Sequence, residues 1–246
     1  MEPRLIHIAE TDSTNRFMWM VADAELLASG SIVLADFQTA GRGLSGNSWE
    51  SEAKQNLTFS VLSRPVAVPA SRPFLIAEMA ALSVRKTLEK YLPTTNRLTV
   101  KWPNDIYYGD GKIAGILIEN VLLQGFICQS IIGTGINVNQ TVFLSETPNP
   151  ISLAQITGHP WDRMAIMDDF RQAFAEQSER LNNSHFDAIH ADYLAAIYRK
   201  DGYFRYRDAE GAFEAVIRDI KPTGHLVLAR TDGTLSQYAY KEVSYQ

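Results

Sequence analysis

A glycine-rich loop with one arginine is the first segment of the sequence whose residues could bind an anion. It reads Gln38-Thr39-Ala40-Gly41-Arg42-Gly43-Leu44-Ser45-Gly46-Asn47-Ser48-Trp49. Glycines let backbone N–H groups approach an anion, and the Arg42 guanidinium can hold a carboxylate or a phosphate with two parallel hydrogen bonds. The spacing is not that of a P-loop, which requires Gly-Lys-Ser/Thr after four intervening residues. The residues alone leave an equal alternative open, a flexible surface loop with an incidental arginine.

A lysine-containing pentapeptide followed by a hairpin is the second candidate. Lys101-Trp102-Pro103-Asn104-Asp105 precedes a predicted hairpin that leads to Lys112-Ile113-Ala114-Gly115-Ile116. With Asp110-Gly111 as a two-residue turn, Asp105 pairs with Ile116, so Asp105 and Lys112 share one face at a distance of about 13 Å. This separation suits an extended ligand with phosphate near Lys112 and a metal or a ribose near Asp105. A solvent-exposed salt bridge on a hairpin is the alternative.

Two weaker motifs carry polar side chains that could contact a ligand. In Gly133-Thr134-Gly135-Ile136-Asn137-Val138-Asn139, strand alternation puts Asn137 and Asn139 on one face, where their amides could bind ribose or phosphate. In Asp12-Ser13-Thr14-Asn15, hydroxyls, an amide and free helical N–H groups could face a small polar head. A strand that ends in a turn and a simple helix cap explain the same residues without a ligand.

Hydrophobic periodicity predicts the helices and strands that would position these motifs. The predicted helices run from Asp12-Ser13-Thr14-Asn15 to Gly30, from Phe74 to Tyr91, from Asp162 to Leu181 and from Phe186 to Ile197. Strands are predicted over Ser31–Asp36, Asn56–Leu62 and, as several consecutive strands, Leu98–Asn139. Because tight turns at Asp110-Gly111 and Gly125 join the last group, we expect its strands to be antiparallel.

The last fifty residues have a different pattern. After Arg199, short alternating segments are separated by turn residues, which predicts a small all-β unit of about five strands. We therefore place a boundary near residue 198, with one domain over residues 1–198 and a second over residues 199–246.

Composition excludes several classes of protein. The formal net charge of −5 argues against nucleic acid as the main partner. The single cysteine, Cys128, excludes an internal disulfide framework and a cysteine-rich metal site. No secretory signal is evident in residues 1–10, and polar residues interrupt the most apolar stretch, Ile113 to Ile136, too often for a membrane helix. We expect a cytoplasmic protein with no membrane partner.

Taken together and in this order, the motifs resemble those of the biotin protein ligases, the biotin–[acetyl-CoA-carboxylase] ligases. The matching segments are Asp12-Ser13-Thr14-Asn15, Gln38 to Trp49, Asn56-Leu57-Thr58, Lys101 to Asp105, Lys112 to Leu117 and Gly135 to Asn139. The resemblance is strong over roughly residues 5 to 158, whereas the β-rich tail is more loosely similar to the small C-terminal domain of the family. Because the first motif lies so near residue 1, we expect the monofunctional type, without an N-terminal DNA-binding winged helix.

The resemblance implies an α+β fold, with a mixed, mainly antiparallel sheet flanked by helices and a small C-terminal SH3-like β-barrel. It also implies an ATP-dependent ligase that works in two steps. The biotin carboxylate attacks the α-phosphorus of MgATP to give biotinyl-5′-AMP and pyrophosphate. A lysine amine of a biotin carboxyl carrier protein then attacks the acyl carbon and releases AMP. ATP, biotin and Mg²⁺ are therefore the expected substrates and metal.

The resemblance also assigns roles to residues of this sequence. Arg42, Lys112 and Asp105 are the expected catalytic residues, and Asp105 is also the expected contact for Mg²⁺. The expected biotin-binding residues are Ser13, Thr14, Asn15, Gln38, Gly41, Arg42, Gly43, Leu44, Lys112 and Gly115. The expected ATP-binding residues are Arg42, Trp49, Lys101, Asn104, Asp105, Lys112, Asn137 and Asn139.

The loop departs from the family pattern in one respect. Many relatives carry further arginines at the positions of Leu44 and Asn47, whereas here Leu44, Ser45 and Asn47 supply no charge. We hypothesise that Arg42 and Lys112 hold the biotinyl-AMP intermediate with less electrostatic help, while Leu44 adds apolar cover. No adenine-stacking aromatic is identified, although the segment Gln140 to Ile151 is expected to cover that region.

Three other functions remain open at this level. A lipoate- or octanoate-attaching enzyme shares the fold, although Gly-Arg-Gly and Lys-Trp-Pro-Asn-Asp favour biotin. A non-catalytic biotin or nucleotide sensor would not need the full set of Arg42, Asp105 and Lys112. A DNA-binding regulator would need a basic stripe or a recognition helix, and we identify neither in the sequence. A homodimer through sheet edges near residues 113–139 is a further prediction.

Overall fold

The structure is a computed structural model, and it describes residues 1–144 and 149–246. The elements of the first half are β1 Leu5–Thr11, α1 Thr14–Val21, β2 Ile32–Gln38, a 3₁₀ turn Leu44–Gly46, β3 Leu57–Ser63, α2 Phe74–Glu89, β4 Leu98–Lys101, β5 Asp105–Tyr108 and β6 Gly111–Leu123. Those of the second half are β7 Phe126–Ile136, α3 Leu153–Thr157, α4 Arg163–Asn182, α5 Phe186–Ala195, β8 Phe204–Asp208, β9 Gly211–Ile220, β10 Leu226–Arg230, β11 Leu235–Tyr238 and β12 Ser244–Tyr245.

Seven strands form the larger sheet, in the order β1-β2-β3-β7-β6-β5-β4. β1 runs parallel to β2, and the other neighbouring strands are antiparallel. The parallel pair is possible because α1 and the residues after it form the crossover that parallel strands require. The predicted α+β fold with a mixed, mainly antiparallel sheet is therefore confirmed.

One face of this sheet carries the main hydrophobic core, beneath α2 and α4. β3 is buried along its length, and its Phe59 ring meets the Phe170 ring of α4 edge-on, with 4.6 Å between centroids. Truncation of such a buried phenylalanine to alanine costs about 3–5 kcal/mol. A smaller cluster on the other face includes Met18 of α1 and Ile131 of β7. Next to that cluster, the glycines of β6 and β7 line a cavity.

The hairpin of β5 and β6 turns at Gly109-Asp110, one residue earlier than predicted. Gly109 adopts the positive φ of 59° that suits glycine in a tight turn. Asp105 pairs with Gly115, not with Ile116 as predicted. The earlier turn moves the partner of Asp105 back by two residues, and Ile113, an extra residue that forms a β-bulge, moves it forward by one. The bulge shifts the alternation of β6, so Lys112 and Gly115 both line the cavity. The predicted common face of Asp105 and Lys112 is correct, although the predicted register is wrong.

The first helix is shorter than predicted. Periodicity predicts a helix as far as Gly30, but α1 ends at Val21 and turns follow. Leu26 takes a positive φ of 50°, which a continuing helix does not allow, and Met20 of the expected buried stripe is 59% exposed. α2, α4 and α5 lie where periodicity predicts them. In the ranges 1–144 and 149–246, no helix has both the length and the apolar character to span a membrane.

Two elements have no counterpart in the prediction. β1 is the edge strand beside β2, and its mixed burial gives only a weak alternation signal. α3 begins at a capping box, in which Ser152 and Gln155 each bond the other's backbone N–H. The spacing Ser-x-x-Gln is a recognisable start signal for a helix.

Five strands after residue 203 form a second antiparallel sheet, in the order β11-β10-β9-β8-β12. This agrees with the predicted all-β unit of about five strands. One hydrophobic cluster runs from the large sheet into this small one, and the Trp102 indole N–H donates to the carbonyl of Gly224 at 2.9 Å. The division into domains over residues 1–198 and 199–246 therefore stays a prediction.

The outer side of β6 is partly unpaired. β5 pairs with β6 only as far as Gly115, so among the described strands the segment from Ile116 to Leu123 has β7 alone as a neighbour. Such an edge can pair with another chain. The predicted homodimer through sheet edges stays a prediction.

Candidate active site

A cavity of about 910 Å³ opens beside the glycines of β6 and β7. Its walls come from the start of α1, the glycine loop after β2, the pentapeptide before β5, strands β6 and β7, and the end of the chain. Of the predicted site residues it is lined by Ser13, Thr14, Asn15, Gln38, Arg42, Gly43, Leu44, Trp49, Lys101, Asn104, Asp105, Lys112 and Gly115. The volume is in the range of pockets that hold small organic ligands.

Glycines form the floor of the cavity, because the side chains of Trp49 and Asn15 pack so close to the strands that a Cβ at these positions would clash with them. A Cβ at Gly135 would lie 2.1 Å from Trp49 Cε2, and one at Gly133 would lie 2.3 Å from Asn15 Oδ1. A Cβ at Gly115 would lie 3.1 Å from Trp49 Cζ3. The indole of Trp49 therefore lies against the backbone of two strands, and its buried N–H has no hydrogen-bond partner among the described residues.

The polar end of the cavity lies where α1 begins. The backbone N–H of Thr14 donates to Gln38 Oε1 at 2.7 Å, so a side chain of β2 caps the helix. The hydroxyl of Ser13, the N-cap residue, makes no capping bond. Ser13, Thr14 and Asn15 are all buried and all line the cavity. Asn15 already bonds Glu119 and Ser60 through the two ends of its amide, so Ser13 and Thr14 are the residues of this group that can face a ligand head.

The charged end holds a close ion pair. Lys112 Nζ lies 2.7 Å from Asp105 Oδ1, and the two side chains are 17% and 23% exposed. The predicted distance of about 13 Å is a spacing along the strands, and the long lysine side chain brings the two charges into contact across it. Burial raises the pKa of Asp105, while the charge of Lys112 acts to lower it. The nearby Asn104 uses its amide to donate to the carbonyl of Ile116 at 2.6 Å.

Lys101 lies among tyrosines that belong to both sheets. Its Nζ donates to the Tyr107 hydroxyl at 3.1 Å, and lies 5.0 Å from the ring centroid of Tyr245 and 5.9 Å from that of Tyr198. Aromatic faces attract an ammonium group, whereas burial lowers the pKa of Lys101. Tyr245 lies on β12, so the small sheet forms part of the cavity wall. The sequence contains no signal for this contribution.

Arg42 reaches the same cavity from the glycine loop. Its guanidinium lies 3.5 Å from Glu119 Oε1, with about half of its side chain exposed. Glu119 Oε2 also accepts hydrogen bonds from Asn15 at 2.9 Å and from the Trp19 indole at 3.1 Å. Glu119 is not among the predicted site residues, although an acidic residue directly after the apolar run Ile113–Ile118 is a usable signal.

The structure does not bring three predicted site residues into the cavity lining. Gly41 belongs to the glycine loop, and a Cβ there would be 2.6 Å from the carbonyl oxygen of Trp49. The Asn137 amide donates to the carbonyls of Lys112 and Ile151 at 3.3 and 3.2 Å. The Asn139 amide bonds the backbone of Trp161. These asparagines join the ends of strands to later segments, and their predicted contacts with ATP stay predictions.

The residues present do not form a resident magnesium site. Asp105 is the sole carboxylate among the described residues that line the cavity, and Lys112 already contacts one of its oxygens. Within residues 1–144 and 149–246, no group of three acidic, histidine or cysteine side chains could hold a metal ion. Mg²⁺ held by a single carboxylate relies on substrate phosphates for other ligands.

The predicted adenine cover lies partly outside the described residues. Of the segment Gln140 to Ile151, residues 145–148 are not described. The residues that follow them are tied to the site, because the Lys112 N–H donates to the carbonyl of Asn149 at 2.7 Å and the Ile151 N–H donates back to Lys112 at 2.9 Å.

The fold and the cavity together define a class of protein. A mixed sheet carries a buried polar end, a glycine floor and a cationic end, which suits a carboxylic acid whose head group is polar. Comparison with known sequences makes the class specific. The chain belongs to the Biotin/lipoate A/B protein ligase family, whose model matches residues 8–137.

Individual relatives agree with this assignment. The chain is 30% identical over 228 residues to the Biotin--[acetyl-CoA-carboxylase] ligase of Paracoccus denitrificans, with 90% of this chain and 92% of the relative covered. It is 28% identical over 215 residues to the Bifunctional ligase/repressor BirA of Bacillus subtilis (strain 168), covering 85% of this chain and 65% of that protein. The biotin protein ligase from Aquifex aeolicus in complex with biotin and ATP superposes with a TM-score of 0.78 and 25% identity, covering 99% and 98% of the two chains.

Proposed function

We propose that this protein is a biotin–[acetyl-CoA-carboxylase] ligase. In the first step, a biotin carboxylate oxygen attacks the α-phosphorus of ATP, the bond to the β-phosphate oxygen breaks, and biotinyl-5′-AMP and pyrophosphate form. In the second step, the amine of a lysine on a biotin carboxyl carrier protein attacks the acyl carbon. The bond to the AMP oxygen then breaks, the amine loses a proton, and an amide and AMP remain.

One observation supports this proposal above the others. Arg42 from the glycine loop and Lys112 from the bulged strand line the same cavity, and Lys101 lines it as well. Two anions, a carboxylate and a triphosphate, must meet in the first step, and fixed positive groups offset their repulsion. A site of this kind performs its task only if its cations face one cavity, so their shared lining supports the proposal.

The remaining groups take consistent roles in the proposal. Ser13, Thr14, Asn15 and Gln38 hold the ureido head of biotin. Asp105 keeps the Lys112 ammonium in place through their 2.7 Å contact before substrate arrives. Ordering of the loop over the ligand shields the reactive mixed anhydride from water, and Leu44 provides the apolar part of that cover.

Magnesium enters the proposal as part of the MgATP substrate. The cavity offers Asp105 as an additional oxygen contact, and no step of the reaction depends on that contact. We further propose that the protein works in the cytoplasm, where ATP and carrier protein are both available.

Transfer to a carrier tests the proposal directly. The protein is incubated with biotin, MgATP and a biotin carboxyl carrier fragment, and mass spectrometry locates the added mass. We expect one lysine to gain a biotinyl group, and no gain when ATP is omitted or that lysine is replaced by arginine. Pyrophosphate release with biotin and ATP alone reports the first step separately.

The same assay separates the alternatives. Modification with octanoate or lipoate in place of biotin would identify the other branch of the family. Binding of biotin without pyrophosphate release would identify a non-catalytic sensor. The polar end of the cavity favours biotin, because neither an octanoyl chain nor a dithiolane ring can hydrogen-bond the buried groups there.

A further inference from the structure

A continuous chain of hydrogen bonds runs from Glu119 to the wall of the cavity. Asn15 Nδ2 lies 2.9 Å from Glu119 Oε2, and Asn15 Oδ1 lies 2.6 Å from Ser60 Oγ. Ser60 Oγ lies in turn 2.8 Å from Thr14 Oγ1. Ser60 and Thr14 are 0% and 3% exposed, so water does not compete for these contacts. Neither Glu119 nor Ser60 lines the cavity itself.

Glu119 determines which group donates and which accepts in each of these hydrogen bonds. A carboxylate offers only acceptors, so the nitrogen of the Asn15 amide must face Glu119. The carbonyl of Leu117, a second acceptor 3.4 Å from the same nitrogen, favours the same orientation. The amide oxygen of Asn15 then faces Ser60, and the single proton of the Ser60 hydroxyl goes to it.

These hydrogen bonds also determine whether the Thr14 hydroxyl can donate to a ligand or only accept from it. Because Ser60 has given its proton to Asn15, its oxygen accepts the proton of the Thr14 hydroxyl. The Thr14 oxygen is then left with lone pairs only, and Thr14 lines the cavity. The neighbouring Gln38 has its oxygen occupied by the Thr14 N–H, so only its NH₂ group remains to donate. The polar end thus offers an acceptor beside a donor.

We propose that Glu119 and Ser60 are positioning residues that make Thr14 an obligatory acceptor, and that they thereby select acids whose head group carries an N–H beside a C=O. This inference rests on the proposed function, and it names the chemical feature by which the site recognises its acid. A head group with a ring oxygen in place of that N–H would set two acceptors against each other, which a site built to receive an N–H rejects strongly.

The test compares biotin with its two cyclic carbamate analogues, in which one or the other ureido N–H is replaced by oxygen. The readout is kcat/KM for pyrophosphate release with ATP. In the unchanged protein we expect biotin to exceed at least one carbamate by about 100-fold. In Ser60→Ala, the freed Thr14 hydroxyl can donate, so that ratio falls to about 10-fold or less. Ser130→Ala, at another fully buried serine, which lies on β7, is the matched control and keeps the original ratio.

Substitution of Glu119 provides a second test, which does not change a fully buried residue. Glu119→Gln keeps an oxygen for Asn15 and Trp19 but loses the charge opposite Arg42, so it keeps the ratio. Glu119→Leu removes the nearer of the two acceptors of the Asn15 amide nitrogen, leaves the Leu117 carbonyl at 3.4 Å, and lowers the ratio about 10-fold. If Ser60→Ala and Glu119→Leu reduce kcat/KM for biotin and both carbamates by equal factors, the inference is overturned. Absence of biotin turnover in the unchanged protein would instead refute the proposed function.

Discussion

The Lys112 ammonium and the Asp105 carboxylate lie 2.7 Å apart on neighbouring strands, in a cavity wall to which a β-bulge has turned the lysine. Removal of one partner from a mostly buried pair costs about 3–5 kcal/mol, because the other charge remains without compensation. The pair therefore keeps Lys112 fixed at the cationic end of the cavity while substrate is absent.

Lys112→Ala is expected to lower the rate of biotinyl-AMP formation by about 100- to 1,000-fold, because it removes a positive group that faces developing charge. Asp105→Asn should have a smaller effect on kcat and should raise KM for ATP, since the lysine remains but loses its anchor. The measurement is pyrophosphate release at varied ATP. Lys200→Ala, at an exposed lysine, is the control. Unchanged turnover in Lys112→Ala would show that its assigned role is wrong.

Leu44→Arg is expected to slow the release of biotinyl-AMP from the protein. Leu44 lines the cavity without charge, so an arginine there would add a second guanidinium near the phosphate of the intermediate. Such a charge-assisted hydrogen bond is worth about 1.5–3 kcal/mol, or roughly a 10- to 100-fold longer residence time. The measurement is the dissociation of pre-formed biotinyl-AMP, with Leu44→Met as the uncharged control. Unchanged or faster release in Leu44→Arg would contradict the hypothesis.

Gly135→Ala is expected to displace Trp49 from the floor of the cavity, because its Cβ would lie 2.1 Å from Trp49 Cε2. Displacement should lower the stability of the ligand-free protein by about 1–3 kcal/mol, the usual cost of overpacking. In a Trp49→Ala background the same glycine substitution should cost much less, since the clashing ring is absent. Urea unfolding of the four proteins measures the coupling. Additive effects would mean that the indole does not rest on this glycine.

The contact of His190 with two carboxylates predicts a pH-dependent contribution to stability. Its Nδ1 lies 2.7 Å from Glu78 Oε1 on α2, its Nε2 lies 3.1 Å from Asp219 Oδ1 on β9, and Lys221 lies 3.5 Å from Asp219. The hydrogen bond with Glu78, followed by the other interactions with the two carboxylates, raises the pKa of His190 above 6.5. A raised folded-state pKa contributes stability that is complete below the unfolded pKa and is lost as pH rises through the folded one.

His190→Gln should therefore lose about 1–3 kcal/mol of unfolding free energy near pH 5.5 and less near pH 9. The measurement is urea unfolding of both proteins at each pH. His159→Gln, at an exposed histidine with no carboxylate partner among the described contacts, serves as the control. An equal loss at both pH values would mean that the imidazole acts by packing alone.

Some functional residues could be predicted from the sequence, and others could not. Arg42 between glycines and Lys112 after a turn could be identified as anion-binding candidates, and both line one cavity. Strand alternation predicts that the amides of Asn137 and Asn139 face a ligand, yet these amides donate to backbone carbonyls. Alternation determines which face a side chain takes, but the segments that pack on that face come from distant parts of the chain.

The sequence by itself determined the family motifs, most of the strands and helices, and the residue types that meet in the cavity, because these depend on spacing along the chain. The tertiary structure alone decided that Ile113 forms a bulge and that the Tyr245 ring lies next to the Lys101 ammonium. It also placed Glu119 and Ser60 behind the residues that line the cavity. The reason is physical. Contacts between Asn15 and Glu119, 104 residues apart, exist only once the order of strands in the sheet is set.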